Sequence, residues 1–278
     1  MSGLHMPAGA GTQWVQPLRQ ASQQPPQAPR WPLWCNGQRI GSVAEAVFDA
    51  AQATVWARQQ GFVLEAATVQ GAQAWQLQAD DPTAALNAVA QLLRTQGRCG
   101  PWRNEQLDVH GQDGALVATV ERGAVRVLGV ATQAVHLLGS APDGRMWVQQ
   151  RALNKPTHPG KWDTLMGGMV SAGDSLQTAL ARETQEEAGL DLAPLQQLRR
   201  GGQVDFACPS EEGGDGTGYM LESIQWFHAV VPQGVQPQNM DGEVAQFQCI
   251  TPQQLQAWLL QDCFTPEASL ILADHLGW

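Results

Sequence analysis

With 278 residues the chain has room for one large domain or two modest ones. Its hydrophobic share of 43% suits a buried core, and no apolar run approaches the ~18 residues that a bilayer-spanning helix needs. A net charge of −10 excludes a general binder of nucleic acid or anionic membrane, whose affinity would rest on Lys and Arg.

Residues 1–30 contain two arginines and no acids, and have no hydrophobic segment after a basic start, which argues against a secretory signal. Their Gln/Pro/Gly bias is read as a disordered tail in preference to a transit peptide. From 31 to 122 a small α+β module is expected. Apolar residues at Val43, Ala46, Val47, Ala50 and Ala51 have helical spacing, which predicts a helix over 43–59. Phe62–Thr68 and Ala74–Gln78 flank Gln70-Gly71 as a hairpin would. Asp81 and Pro82 suit the cap and first turn of a second helix, with Leu86, Val89, Ala90 and Leu93 as its apolar stripe and Gly97 as its stop.

The character changes in 123–278, read as a second domain. Strands are expected at Val125–Val127, Val135–Leu138, Met146–Val148, Gln203–Ala207, Ser223–Val231 and Val244–Ile250, with a turn at Pro142-Asp143-Gly144. Helices are expected at Ser175–Ala188 and from about Pro252 to Leu260. The glycine-rich stretch Gly213–Gly218 lacks the Lys-Ser/Thr of a P-loop and is read as a flexible loop near the substrate. The five cysteines, Cys35, Cys99, Cys208, Cys249 and Cys263, contain no Cys-x-x-Cys pair, so reduced thiols in a cytoplasm are the simplest reading.

The helix at Ser175–Ala188 breaks two local rules. Glu183, Glu186 and Glu187 stand at i, i+3 and i+4, so their carboxylates share a face at a cost of roughly 0.2–0.5 kcal/mol per like-charged pair. They also sit in the final turns, where the helix dipole disfavours acids by about 0.3–1 kcal/mol each. A divalent cation would offset both, and hard oxygen ligands suit Mg²⁺ or Mn²⁺. Arg182 can reach Glu186 at i+4. Asp174 or Ser175 is the expected N-cap and Gly189 the stop.

From Gly168 to Leu190 the segment GMVSAGDSLQTALARETQEEAGL resembles the Nudix box: Gly, five residues, an acid, seven residues, Arg-Glu, two residues, Glu-Glu, one residue, Gly and an aliphatic residue. It departs at Asp174, where the family has Glu, and at Thr184, where an aliphatic residue is usual. The flanks Arg151–Gly168 and Met240–Phe247, with GPWRNEQLDV at Gly100–Val109, are similar to a Nudix subfamily related to the thiamine pyrophosphokinase N-terminal region. That resemblance implies an α+β fold, a Nudix-type α/β/α sandwich with a mixed sheet, preceded by a small module. It implies metal ligands at Glu183, Glu186, Glu187 and the Gly168 carbonyl, and a further acid, Glu243, that binds metal or activates water.

The implied reaction is Mg²⁺- or Mn²⁺-dependent attack of water on a small organic diphosphate, thiamine diphosphate or its damaged analogues, giving the monophosphate. Catalytic roles fall on Glu186, Glu187, Glu243 and Arg182. Arg151, Lys155 and Lys161, which include both lysines of the chain, are candidates for phosphate contact, and Asp163 for substrate contact. His136, His158 and His228 are read as structural or surface residues. The alternatives are an ADP-ribose- or NADH-type pyrophosphatase and a non-catalytic diphosphate sensor. An isopentenyl-diphosphate isomerase is disfavoured because no cysteine lies between Gly100 and Phe206. No nucleic-acid or membrane partner is expected. Substrate gating and homodimerisation both stay open as roles for the N-terminal module.

Overall fold

A computed structural model describes residues 10–278, so residues 1–9 of the expected tail lie outside it. The rest of that tail is not featureless: Ala10–Ala21 forms helix α1, with Val15 fully buried. Strands β1 (Arg30–Cys35) and β2 (Gln38–Ala44) follow as an antiparallel pair. The helix expected over 43–59 is shorter and starts later. Val43 pairs with Trp31 in the sheet, and helix α2 spans only Ala50–Gln59, starting where Asp49 accepts a hydrogen bond from the Gln52 N–H at 2.9 Å. The apolar period at 43–51 straddles a strand and a turn.

Strands β3 (Val63–Val69) and β4 (Ala72–Gln78) form the expected hairpin, with Gln70 and Gly71 at positive φ. Helix α3 (Pro82–Thr95) is capped by Asp81 and buries its predicted stripe. The first sheet has the order β2-β1-β4-β3. Strands β5 (Gln106–His110) and β6 (Leu116–Glu121) make a separate ribbon, which the residue pattern did not disclose.

Val125–Val127, expected as a strand, lies instead in a helical turn, α4 (Val125–Leu128), entered through a 3-10 turn at Arg122–Ala124. All four residues of α4 are buried, which the one-sided alternation of a surface strand would not give. Gly129, left-handed at φ +55°, ends it against β2, where a Cβ would lie 2.5 Å from the Ser42 carbonyl oxygen.

The second sheet is built from β7 (Ala131–Ser140), β8 (Met146–Arg151), β9 (Trp162–Asp163), β10 (Met166–Met169), β11 (Gln196–Ser210), β12 (Gly218–Val230) and β13 (Val244–Ile250). Helix α5 (Leu176–Ala188) lies between β10 and β11, while α6 (Pro252–Leu260) and α7 (Pro266–Leu276) close the chain. Its main order is β11-β12-β7-β8-β13, with β10 on β7 and β9 on β8. The β7–β12 pair is parallel and the other pairs antiparallel, so the sheet is mixed.

Alternation along β7 shows why helices cover both faces. Val135 and Leu137 pack with Ala179 and Leu180 of α5, while Ala134 and Leu138 pack with Leu255 and Leu259 of α6 and with α7. This is an α/β/α sandwich. On the α7 side, Trp14 of α1 meets Trp278 edge-on at 5.8 Å.

The first sheet, α3 and α4 share their own core, running from Leu33 to Val130 and including Met169. That body is tied to the entrance of α5: the Ala172 N–H donates to the Gln106 carbonyl at 2.7 Å, and the Ser171 hydroxyl to Glu105 at 2.8 Å. All five cysteines are unpaired thiols. No helix among the described residues is long and apolar enough to cross a membrane.

Candidate active site

Helix α5 begins at Ser175, whose hydroxyl accepts from the Thr178 N–H at 3.1 Å, and ends at left-handed Gly189. Asp174 is not the cap. It lies one position too early, and its carboxylate accepts from Arg182 at 3.1 Å. Thr184, where the Nudix box has an aliphatic residue, is fully buried. Its hydroxyl is satisfied by the Leu180 carbonyl at 2.6 Å, so it fills the core position without an orphaned polar group.

The three glutamates divide by exposure. Glu183 and Glu187 are buried towards the sheet, while the Glu186 side chain is 52% exposed. Arg182 spans the group: Nη1 donates to Glu183 at 2.8 Å and Glu186 at 3.1 Å, while Nη2 reaches the Ser171 hydroxyl at 3.0 Å. Glu187 accepts from the Gln149 amide at 3.0 Å and the Gly167 N–H at 3.1 Å. Burial pushes its carboxyl up to about 8 against the pull of those two donors. Burial also raises Glu183, with Arg182 opposing.

Gly168 is required by contact. A Cβ there would lie 2.1 Å from Glu183 Cδ, so only a bare backbone lets this carboxylate rest against β10.

Glu183, Glu187 and Gly168 line one wall of a cavity of about 120 Å³, and Arg151, Lys155 and Glu243 line another. Lys155 is hydrogen-bonded to Glu243, and the Ala152 N–H donates to the Glu243 carbonyl at 2.9 Å, so the loops after β8 and before β13 meet here. Burial would raise the Glu243 carboxyl, but Lys155, Arg103 and Arg122 hold it below the usual carboxylate range.

Two expected substrate contacts are not brought to this cavity. Lys161 pairs with Asp262 at 2.8 Å. Asp163 is buried, 3.6 Å from His136 and from Arg151, and accepts from the Thr164 N–H at 2.8 Å. Its neighbour Trp162 is a core residue packed against Trp258, with ring centroids 4.7 Å apart and planes tilted by 32°. Three charged residues of the wall carry no signal in the sequence pattern: Arg103, Arg122 and Glu212. Glu212 sits at the start of the glycine-rich loop. Its first glycine is closely packed, for a Cβ on Gly213 would lie 2.4 Å from Val127, while Gly214 has open space around it.

The NUDIX domain family model matches residues 130–271, just over half the chain and all of α5. The chain belongs to the Nudix family. Among Nudix relatives, it is 29% identical over 202 residues to Nudix hydrolase 20, chloroplastic, of Arabidopsis thaliana, covering 71% of this chain and 53% of that one. It is 34% identical over 95 residues to an isopentenyl-diphosphate Delta-isomerase of Leifsonia xyli subsp. xyli, covering 33% of this chain and 50% of the relative. A solved structure, DR0079 from Deinococcus radiodurans, aligns with 58% of this chain and all of its own at 18% identity and a TM-score of 0.43. The chain spans about half the length of the curated Nudix relatives it matches over its greatest extent.

Nudix hydrolases generally need divalent metal ions. The donor set on α5 suits one: carboxylate oxygens on successive turns beside a backbone carbonyl at Gly168. Two further features of the structure fit a cation at this site. Glu187 is a buried carboxylate with no cation bonded to it, and the buried Gln149 Oε1 beside it has no hydrogen-bond partner. Among the described residues no three acidic, His or Cys groups converge on one point, because Arg182 draws Glu183 and Glu186 to itself.

Proposed function

We propose that this chain is a metal-dependent hydrolase that cleaves the diphosphate linkage of a small organic diphosphate. One observation carries the reading. Glu183 and Glu187 from α5, Arg151 from the end of β8, Lys155 from the loop after it, and Glu243 from the approach to β13 face one cavity beside Gly168. Glu183, Glu186, Glu187 and the Gly168 carbonyl would hold Mg²⁺ or Mn²⁺. When bound, the metal neutralises phosphate oxygens and acidifies the attacking water.

The chain's own residues have the remaining tasks. Lys155 and Arg151 bind phosphate oxygens at the cavity wall. Arg182 keeps Glu183 and Glu186 in fixed rotamers. Glu243, held ionised by its cationic neighbours, accepts the proton of the attacking water. A water oxygen bonds to phosphorus, the bridging P–O bond breaks, and two phosphate-bearing products leave. Positioned charge supplies most of the acceleration. The relative named as an isomerase raises a rival reading, but no cysteine lines this cavity.

For the substrate we propose thiamine diphosphate or a damaged analogue, hydrolysed to the monophosphate. This rests on the likeness of the segments at 100–109, 151–168 and 240–247 to the thiamine-related subfamily. Residues 31–122 are read as that subfamily's additional module. Assaying the Mg²⁺-loaded protein on thiamine diphosphate, its oxidised analogues, ADP-ribose and NADH tests the reading. Preferred turnover of the thiamine compounds is expected. Turnover of ADP-ribose or NADH alone would move the assignment to a nucleotide pyrophosphatase, and tight binding without turnover would make the protein a sensor.

A further inference from the structure

Two arginines reach the cavity from outside the stretch matched by the family model. Arg103 lies between α3 and β5, and Arg122 follows β6, whereas the match begins at residue 130. Their backbones are held together by one buried acid. Glu121, 1% exposed, accepts from the Arg103 N–H at 2.7 Å and the Gly123 N–H at 3.3 Å. The Gly100 N–H adds a bond to the Gly123 carbonyl at 2.8 Å, and the Arg122 N–H one to the Glu105 carbonyl at 2.8 Å. The packing is close, since a Cβ on Gly123 would lie 2.9 Å from the Pro101 carbonyl oxygen. Both side chains therefore leave a rigid wall.

Each side chain faces the acids of the catalytic half. Arg122 Nη1 bonds Glu105 at 2.7 Å, and Glu105 in turn accepts from Ser171 at the entrance to α5. Arg103 stands 3.9 Å from Glu243. Arg122 also acts on Glu183, Glu212 and Glu243 through space. With Arg151 and Lys155 they make four cations around a cavity of about 120 Å³. Four glutamates, Glu183, Glu187, Glu212 and Glu243, line the same cavity; with Glu183 and Glu187 given to the metal, the four cations outnumber the two acids left, which suits a phosphate group. Planar guanidinium groups match phosphate oxygens two at a time.

We propose that Arg103 and Arg122 bind the phosphate end of the substrate, so that the N-terminal body completes a diphosphate site which the matched Nudix segment only half encloses. This rests on the diphosphate reading above. The two arginines differ usefully as targets. Arg122 holds Glu105, so its loss disturbs the docking of the two bodies, whereas the one ion pair of the Arg103 side chain among the described residues is the 3.9 Å contact with Glu243, and its replacement is structurally mild.

The test is calorimetric titration of the full chain with imidodiphosphate, a diphosphate whose bridge resists hydrolysis, in saturating Mg²⁺. Alongside it, Mn²⁺ affinity and melting temperature are measured for R103Q, R122Q, R122K and, as a distant exposed control, R39Q. R103Q and R122Q are each expected to weaken imidodiphosphate by at least about tenfold, the scale of a hydrogen bond to a charged group. R122K should lose less than R122Q, and R39Q nothing. R103Q should keep its Mn²⁺ affinity and melting temperature. Wild-type affinity in R103Q and R122Q, or no binding of imidodiphosphate by the unaltered chain, would overturn the proposal. A protein that binds it through these arginines yet hydrolyses no diphosphate would sink the hydrolase reading and leave the site standing. One that hydrolyses a diphosphate with unchanged KM in both variants would do the reverse.

Discussion

Arg182 and Glu183, neighbours in sequence, share a 2.8 Å hydrogen bond through Arg182 Nη1, and the same nitrogen reaches Glu186 at 3.1 Å. A single guanidinium thus stands between two carboxylates that would otherwise repel each other. Its Nε and Nη2 are committed to Asp174 and Ser171, which fixes the plane of the group. The acids of α5 are therefore held apart and oriented by one side chain.

From this geometry, R182A should lower kcat/KM on the hydrolysed diphosphate by about 10- to 100-fold, the range for residues that orient metal ligands. R182K should not rescue it, because an ammonium cannot span four partners in one plane. Steady-state kinetics decide the matter, and full activity in R182K would show that the fork is unnecessary.

Gly168 offers a steric test. G168A puts a methyl group 2.1 Å from Glu183 Cδ, so the carboxylate or the strand must shift. Overpacking of this kind costs about 1–3 kcal/mol. We expect a lower melting temperature together with loss of most activity. Unchanged stability and turnover would mean that Glu183 has another resting place.

Arg126 and Glu222 form a buried pair at 2.7 Å, supported by the Thr132 hydroxyl at 2.9 Å from Glu222. Burial alone would raise Glu222, but Arg126 and Thr132 hold it below the usual carboxylate range. Removing one charge strands the other, at about 3–5 kcal/mol. Urea unfolding of E222Q should show that loss, while an R126M/E222L double variant should lose less than either single change. Equal losses in all three would locate the stability elsewhere.

Acid lability should arise partly at His228. Burial, with the charges of His275 and Arg199, pushes its imidazole down to about 4, and burial also lowers the stacked His275, 5.4 Å away. The unfolded chain then takes up protons first as the pH drops. Stability contributed by the neutral ring is full above about 6.5 and is lost progressively as the pH falls towards 4. Urea midpoints between pH 7 and 4 should fall less steeply in H228Q than in the parent. Parallel slopes would exclude His228.

Features of the chain that depend on near neighbours were readable. The caps of α3, the β3–β4 hairpin and the acidic face of α5 follow from residues within a few positions of one another. What the sequence hid depends on distant partners. Val43 looks helical until Trp31 is seen opposite it, and Val125–Leu128 looks extended until it is seen buried on all sides. Helix α7 gives no periodic signal, because its six consecutive buried residues, Ala268–Ala273, show no one-sided stripe. In the site, the acids of α5 announced themselves by breaking the dipole rule. Arg103 and Arg122 carry no such mark. Only the docking of β5 and β6 beside α5 brings them to the cavity. Lys161 was drawn in by its position next to the box, and the structure turns it to Asp262.

If the carboxylates of α5 drive metal-dependent cleavage of a diphosphate, Glu186 is the cleanest place to see it. Its side chain is half exposed, so E186Q leaves the core undisturbed and any loss reports on chemistry. The measurement is the Mg²⁺-dependent turnover of E186Q beside the parent protein on the substrate the parent hydrolyses best. A fall in kcat of at least about 10²-fold, with an unchanged melting temperature, is the expected result. Undiminished turnover would contradict the account.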